Sequence, residues 1–257
     1  MIPLKDENQT RSTPVITLIV IAACVVIFVF VQPRETQDLA GQLESIQFTF
    51  ETAAIPCEVV KGRPLTEREV VDTVRFDDDT ACETRPTGQT AFPDKSVYLA
   101  VLYSMFLHGS WLHLGGNMLF LWIFGNNIED KMGKPVYLVF YLVAGLVATG
   151  AHIGVQPDST VPVVGASGAI AGVMGAYLVM WPNVRIKSLI FLGFFVLFRD
   201  VAAKWLLGIW FVLQFFTNPN EGVAWVAHVG GFVFGVLAGI LWRATSEPEP
   251  ATWRPYY

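Results

Sequence analysis

Apolar residues run along this chain in long blocks, without the four-residue alternation of faces that a soluble helix shows. Val15 to Gln32 is an unbroken apolar run behind Lys5 and Arg11, with no small-residue cleavage site after it, and so reads as a retained membrane anchor. Further blocks cover Trp111 to Phe124, extended backwards by Tyr98 to Leu107, then Pro135 to Val155, Ala166 to Trp181, Val201 to Phe216 and Trp225 to Trp242. The pattern predicts six spans. Residues 186–198 are apolar but short of the roughly 20 residues a bilayer needs, and are expected to lie at or dip into the interface. The organisation expected is a 1–14 cytoplasmic segment, a 15–32 first transmembrane helix, a 33–95 loop, a 96–243 membrane core and a 244–257 cytoplasmic tail.

Composition agrees with that pattern. Apolar residues make up 53% of the 257 and charged residues only 15%, which predicts an all-α membrane protein. Residues 33–95 are the polar exception, too long for a bare connection, and Thr66-Glu67-Arg68-Glu69 fits a capping box that opens a short helix there. Acids outnumber bases in this loop, from Glu35 to Asp94, and supply nearly all of the net charge of -5. That excludes the basic footprint of a nucleic-acid partner.

Lys and Arg decide orientation. They stand before the first span (Lys5, Arg11), in the second loop (Lys131, Lys134), around the fourth (Arg185, Lys187, Arg199, Lys204) and in the tail (Arg243, Arg254). The third loop, Gln156 to Val164, and the fifth, Asn218 to Ala224, have none. By the positive-inside rule both termini are cytoplasmic, and the first, third and fifth loops are external. The expected location is the cell (plasma or inner) membrane.

This orientation brings four polar residues to one depth. Ser167 lies in the outer turn of the fourth span, His228 near the outer end of the sixth, and His113 and Asn117 one turn apart in the outer half of the second. Polar groups in a span are candidates for function because unpaired burial in lipid is costly. A serine hydroxyl needs a base, which neutral imidazole supplies near neutral pH, so His228 would activate Ser167. The oxyanion formed on attack needs preplaced donors, which His113, the Asn117 amide and the Ser167 backbone N–H could supply. No acid lies inside a span, which argues for a dyad; Glu221 in the fifth loop is the one nearby acid. Gly168, Gly172 and Gly175, with Gly231, Gly235 and Gly239, would let the fourth and sixth spans approach closely.

Other residues read more plainly. His152 is expected to be structural, and Trp111, Trp181, Trp225 and Trp242 to anchor span ends at the interface. Cys24 is a small apolar filler in the first span. Cys57 and Cys82 share the external loop and are either a disulfide or two free thiols, according to the redox state there. Neither metal spacing nor a phosphate-cradling loop is present, so no cofactor is expected. The first loop and span five, with Trp210, Phe211 and Phe215, are candidate gates.

Three blocks, His108-Gly-Ser-Trp-Leu-His113-Leu-Gly-Gly-Asn117, Gly165-Ala-Ser167-Gly168 and Ala227-His228-Val-Gly-Gly231-Phe-Val-Phe-Gly235, resemble the signature blocks of rhomboid intramembrane serine proteases, in order, over Tyr98 to Leu241. The resemblance implies a six-transmembrane-helix rhomboid-like bundle with a long external first loop. It implies Ser167 as nucleophile, His228 as base, His113 and Asn117 as oxyanion stabilisers and His108 as a brace of the first loop. Gly165, Gly168, Gly231 and Gly235 belong to the same blocks as structural support. Substrates would be transmembrane helices in the lipid bilayer, cut near its outer face. A catalytically silent binder of transmembrane clients is the alternative. Two positions depart from the family pattern: Leu99-Ala100 replaces a Trp-Arg pair, and Ala171 stands where some members place a tyrosine against the imidazole.

Overall fold

A computed structural model of the chain describes residues 1–8, 10–34, 38–83, 86–192, 195–217 and 224–246. Strand β1 (Ile2–Asp6) precedes α1 (Val15–Val26), which continues through a π-helical turn, Ile27–Val31. Residues 33–95 hold α2 (Leu39–Thr52), α3 (Pro56–Lys61) and α4 (Glu67–Phe76). Then follow α5 (Val97–Ser104), α6 (Trp111–Phe120) with its π turn Leu121–Gly125, α7 (Asn126–Met132), α8 (Lys134–Val155) and α9 (Ser167–Met180). Strands β2 (Arg185–Leu192) and β3 (Phe195–Ala202), then α10 (Ala203–Gln214) and α11 (Trp225–Thr245), complete the order.

Helix α9 is the axis of the bundle. Every residue from Gly168 to Tyr177 is buried, so the helix is apolar all round and enclosed by protein, with α8 and α11 packed along it. Small residues set that packing. A Cβ on Gly168 would meet Ala148 Cβ at 2.6 Å, and one on Gly172 would meet Ala144 Cβ at 2.6 Å. On the other side, a Cβ on Gly231 would strike the carbonyl oxygen of Gly168, and one on Gly235 that of Gly172. The α9 and α11 backbones therefore touch through glycines, with no side chain between them.

Helices α8 and α11, of 22 and 21 residues, are long and apolar enough to cross a bilayer; the apolar helices Val15–Val31, Ser167–Met180 and Ala203–Gln214 are shorter. Two expectations need correction. The second apolar block is not one helix, because α5 ends at Ser104 and α6 starts afresh at Trp111, where the Ser110 hydroxyl accepts from the His113 N–H at 3.1 Å. The chain is mostly helical but not all-α, since the described residues of 186–198 lie in the paired strands β2 and β3. β2 and β3 pair from Arg185↔Ala202 to Leu192↔Phe195, and β1 adds to β2 antiparallel. The alternation Ile186, Lys187, Ser188 with its buried, exposed, buried sequence has the strand period of two, and pairing satisfies backbone groups that lipid would leave bare. The expected tail, 244–257, lies outside the described residues from residue 247 on.

The sheet and Ser167 lie at opposite ends of α9. At the sheet end the Tyr177 hydroxyl and the Asn127 amide donate to Asp6 Oδ2, at 2.9 and 2.7 Å. Burial, partly offset by these bonds, raises the Asp6 carboxyl to about 6. At the other end α2 to α4 form a small unit whose core is Phe50, Ile55, Cys57 and Leu65. Cys57 and Cys82 are disulfide-bonded there, with Cα atoms 5.9 Å apart. The capping box is present as the sequence predicts, Thr66 accepting from the Glu69 N–H and Glu69 reaching back to the Thr66 N–H.

A buried ion pair closes this unit. Lys95 Nζ lies 2.6 Å from Glu58 Oε2 and donates to the Phe50 carbonyl, with both side chains 1% exposed. Burial raises the Glu58 carboxyl and lowers the Lys95 ammonium, and each charge partly offsets the other's desolvation. Lys95→Met is expected to destabilise the unit by about 3–5 kcal/mol, because it strands a buried carboxylate. Urea unfolding followed by limited proteolysis of residues 38–83 checks this; an unchanged midpoint contradicts it.

Candidate active site

Ser167 and His228 meet. Ser167 opens α9 and His228 sits in the first turn of α11, where the His228 N–H bonds the Ala224 carbonyl. The glycine contacts Gly168–Gly231 and Gly172–Gly235 hold the helices together, and His228 Nε2 stands 2.8 Å from Ser167 Oγ. This is the reach over which a base can take a hydroxyl proton.

The other imidazole nitrogen is also engaged. His228 Nδ1 lies 2.8 Å from Oε1 of Gln214, in the last turn of α10, and Gln214 Nε2 donates to the Trp210 carbonyl at 2.8 Å. The Trp210 ring lies 5.9 Å from the imidazole, centroid to centroid. Ala171 is fully buried and presents no ring to His228.

Helix α6 presents His113 and Asn117. The His113 ring receives the Gly109 N–H at Nδ1, 3.4 Å away, so the ring proton belongs on Nε2. That nitrogen is 2.8 Å from where a Cβ on Gly165 would stand, and the same point is 3.5 Å from Ser167 Oγ. Gly165, at φ +124°, thus leaves open the space between His113 and Ser167 that any side chain would fill. Asn117 is buried, and its Nδ2 is a donor with no partner among the described residues. A free buried donor is costly unless a ligand uses it.

His108 is 1% exposed and lies edge-on to His113, with ring centroids 5.1 Å apart. Its backbone is clamped by Gln32, whose side chain bonds both the His108 C=O and N–H at 3.0 Å. A cavity of about 390 Å³ opens beside this clamp, between Phe28, Gln32, Ser45, Thr49 and Trp111. Behind Ser167 lies a smaller one of about 20 Å³, bounded by Met105, Gly145, Thr149 and Gly165.

The segment leading into Ser167 is tied to its surroundings on both sides. Val163 N–H donates to Ala54 O, Ala54 N–H to the Ser104 hydroxyl, and Gly165 N–H to Ser104 O. Cys57 N–H donates to Ser159 O, next to the disulfide. His152, in the last turn of α8, is buried, and its Nδ1 has no partner among the described residues. Trp210 and Phe211, named above as gate residues, pack on Phe232 of α11. Glu221 lies outside the described residues.

Sequence reasoning missed Gln214, Gln32 and Ser104. Gln214 had a signal: it ends the apolar run Trp205 to Leu213, and a polar group in such a run is a functional candidate. Gln32 and Ser104 act through backbone groups that only folding brings near.

Fold and site together define a helical bundle in which a serine and a histidine share one hydrogen bond between two glycine-packed helices. The chain matches the family model described as Rhomboid domain over residues 95–245, more than half its length, and it belongs to the rhomboid family, whose members are embedded in membranes. It is 32% identical over 143 residues to the human presenilin-associated rhomboid-like protein, mitochondrial, covering 53% of this chain and 36% of that protein. It is 31% identical over 148 residues to the chloroplastic rhomboid-like protein 11 of Arabidopsis thaliana, covering 56% and 51%. With the rhomboid protease GluP of Bacillus subtilis it shares 30% over 138 residues, covering 54% and 25%. The chain thus spans about a third of the length of the first of these relatives.

Proposed function

We propose that this protein is an intramembrane serine endopeptidase that hydrolyses peptide bonds in or near the transmembrane helices of other membrane proteins. The observation that carries this reading is the 2.8 Å approach of His228 Nε2 to Ser167 Oγ. A silent client binder has no need of that pair, and membership of a family that includes a named protease adds support.

Ser167 Oγ attacks the scissile carbonyl carbon as its proton passes to His228 Nε2, and the carbonyl electron pair moves onto oxygen. His113 Nε2–H, the Asn117 amide and the Ser167 N–H donate to that oxyanion. Collapse expels the amine, which takes the proton from His228, and leaves an acyl-Ser167 ester. Water, deprotonated by the same imidazole, then hydrolyses the ester and restores the hydroxyl. The small cavity behind Ser167 suits a short substrate side chain.

For topology we hold to six spans with both termini cytoplasmic, residues 33–95 external and the site opening outward in a cell membrane. Charge distribution supports the orientation, and the Cys57–Cys82 bond suits an oxidising side. The names of two relatives place those proteins in the mitochondrion and the chloroplast.

The test is reconstitution of the purified chain in liposomes with a single-span substrate, alongside labelling by a fluorophosphonate probe. We expect cleavage near the outer end of the substrate helix and covalent labelling of the protein. The absence of both cleavage and labelling would remove the enzyme reading.

A further inference from the structure

We propose that Gln214 is the positioning residue of the dyad: it selects the tautomer of His228 and holds the ring toward Ser167. This rests on the protease reading above. The argument starts from the amide. Gln214 Nε2 is committed to the Trp210 carbonyl one turn earlier, so the atom facing the imidazole is the acceptor Oε1. An acceptor at 2.8 Å requires a proton on His228 Nδ1. Neutral imidazole has only one ring proton, so Nε2 then carries the lone pair, and Nε2 is the nitrogen 2.8 Å from Ser167 Oγ. The base is thereby set in its productive form before substrate arrives.

The surroundings make this bond the ring's polar support. Gln214 is 8% exposed and Ala171, fully buried, supplies no aromatic face. Trp210, on the same face of α10 as Gln214, flanks the ring from the side. A carboxylate would serve the same geometric end and would add charge; a neutral amide supplies direction alone, as asparagine does in cysteine–histidine–asparagine sites. When His228 takes the serine proton, Nδ1–H keeps its bond to Oε1, so the amide stays satisfied through both proton transfers.

The experiment uses the full chain in liposomes with two variants. Gln214→Leu keeps the bulk and removes the acceptor; Gln214→Glu keeps an acceptor oxygen at the same reach. Three quantities are read: kcat and KM on a single-span substrate, the rate of Ser167 labelling by fluorophosphonate, and the His228 tautomer by ¹⁵N NMR of histidine-labelled protein. For Gln214→Leu we expect kcat and labelling rate to fall together by about tenfold or more, KM to hold, and the Nε2–H tautomer to grow. Gln214→Glu should recover most of both rates. Activity of Gln214→Leu within twofold of the parent overturns the proposal, as does an equal loss in both variants with the Nδ1–H tautomer unchanged. If the parent itself neither cleaves nor labels, the protease reading fails, and the tautomer of parent against Gln214→Leu still decides whether Gln214 sets the ring.

Discussion

Ser167→Ala and His228→Ala should each lower the cleavage rate by a factor on the order of 10⁴ or more, and the double variant should be little worse than either. Both follow from the single shared bond. The hydroxyl is inert without a proton acceptor, and the imidazole has no nucleophile to activate once Oγ is gone, so removing one partner of the 2.8 Å pair removes the function of both. What remains is whatever His113, Asn117 and substrate binding provide. Single-turnover cleavage of a reconstituted substrate measures all three variants. Ser167→Ala retaining more than about one per cent of the parent rate would mean that the nucleophile is another group. Additive losses in the double variant would mean that the two residues act in separate steps.

Gly235→Leu is expected to reduce cleavage by about a hundredfold or more while the chain stays in the membrane. A Cβ on Gly235 would clash with the Gly172 carbonyl oxygen and lie 2.6 Å from Gly172 C and 2.8 Å from Gly172 Cα. These are main-chain atoms of a fully enclosed helix and cannot rotate aside, so α11 has to move away from α9. His228 rides on α11 before Gly235 and Ser167 on α9 before Gly172, both toward the site end, and a shift of about 1 Å is enough to break a directional bond of this kind. Cleavage and fluorophosphonate labelling report the site, and size-exclusion behaviour in detergent reports the fold. Full activity in Gly235→Leu would show that the helix contact does not position the pair.

Much of the bundle was legible because membrane burial writes itself plainly into sequence. Apolar blocks near Val15, Pro135, Ala166 and Trp225 became α1, α8, α9 and α11 within a residue or two at their starts, since a helix is the one way such a stretch satisfies its own backbone. The Thr66–Glu69 capping box was equally readable, being local chemistry with a fixed spacing. The pairing of β2 with β3 was not, because the strand period shows only over Ile186 to Ser188 before the run turns wholly apolar at Leu189, and the neighbouring strand is the remote segment Ile2–Asp6. The break between α5 and α6 was hidden for another reason. Met105 and Leu107 carry on the apolar run through the turn, and only the Ser110 cap marks the new start.

The sequence by itself determined the residue types and their order: a serine at the head of one glycine-rich block, a histidine at the head of another, and a His-Asn pair one helical turn apart. It also determined that these blocks are apolar enough to pack in a membrane. Only the tertiary structure decided that Ser167 and His228 share a bond, that Gly165 leaves the space His113 needs, and that Gln214 arrives at Nδ1 from a third helix. The reason is physical. Apolarity and capping are properties of neighbours along the chain, whereas a 2.8 Å contact between residues 61 positions apart depends on how closely two helix backbones approach, and here glycine sets that distance.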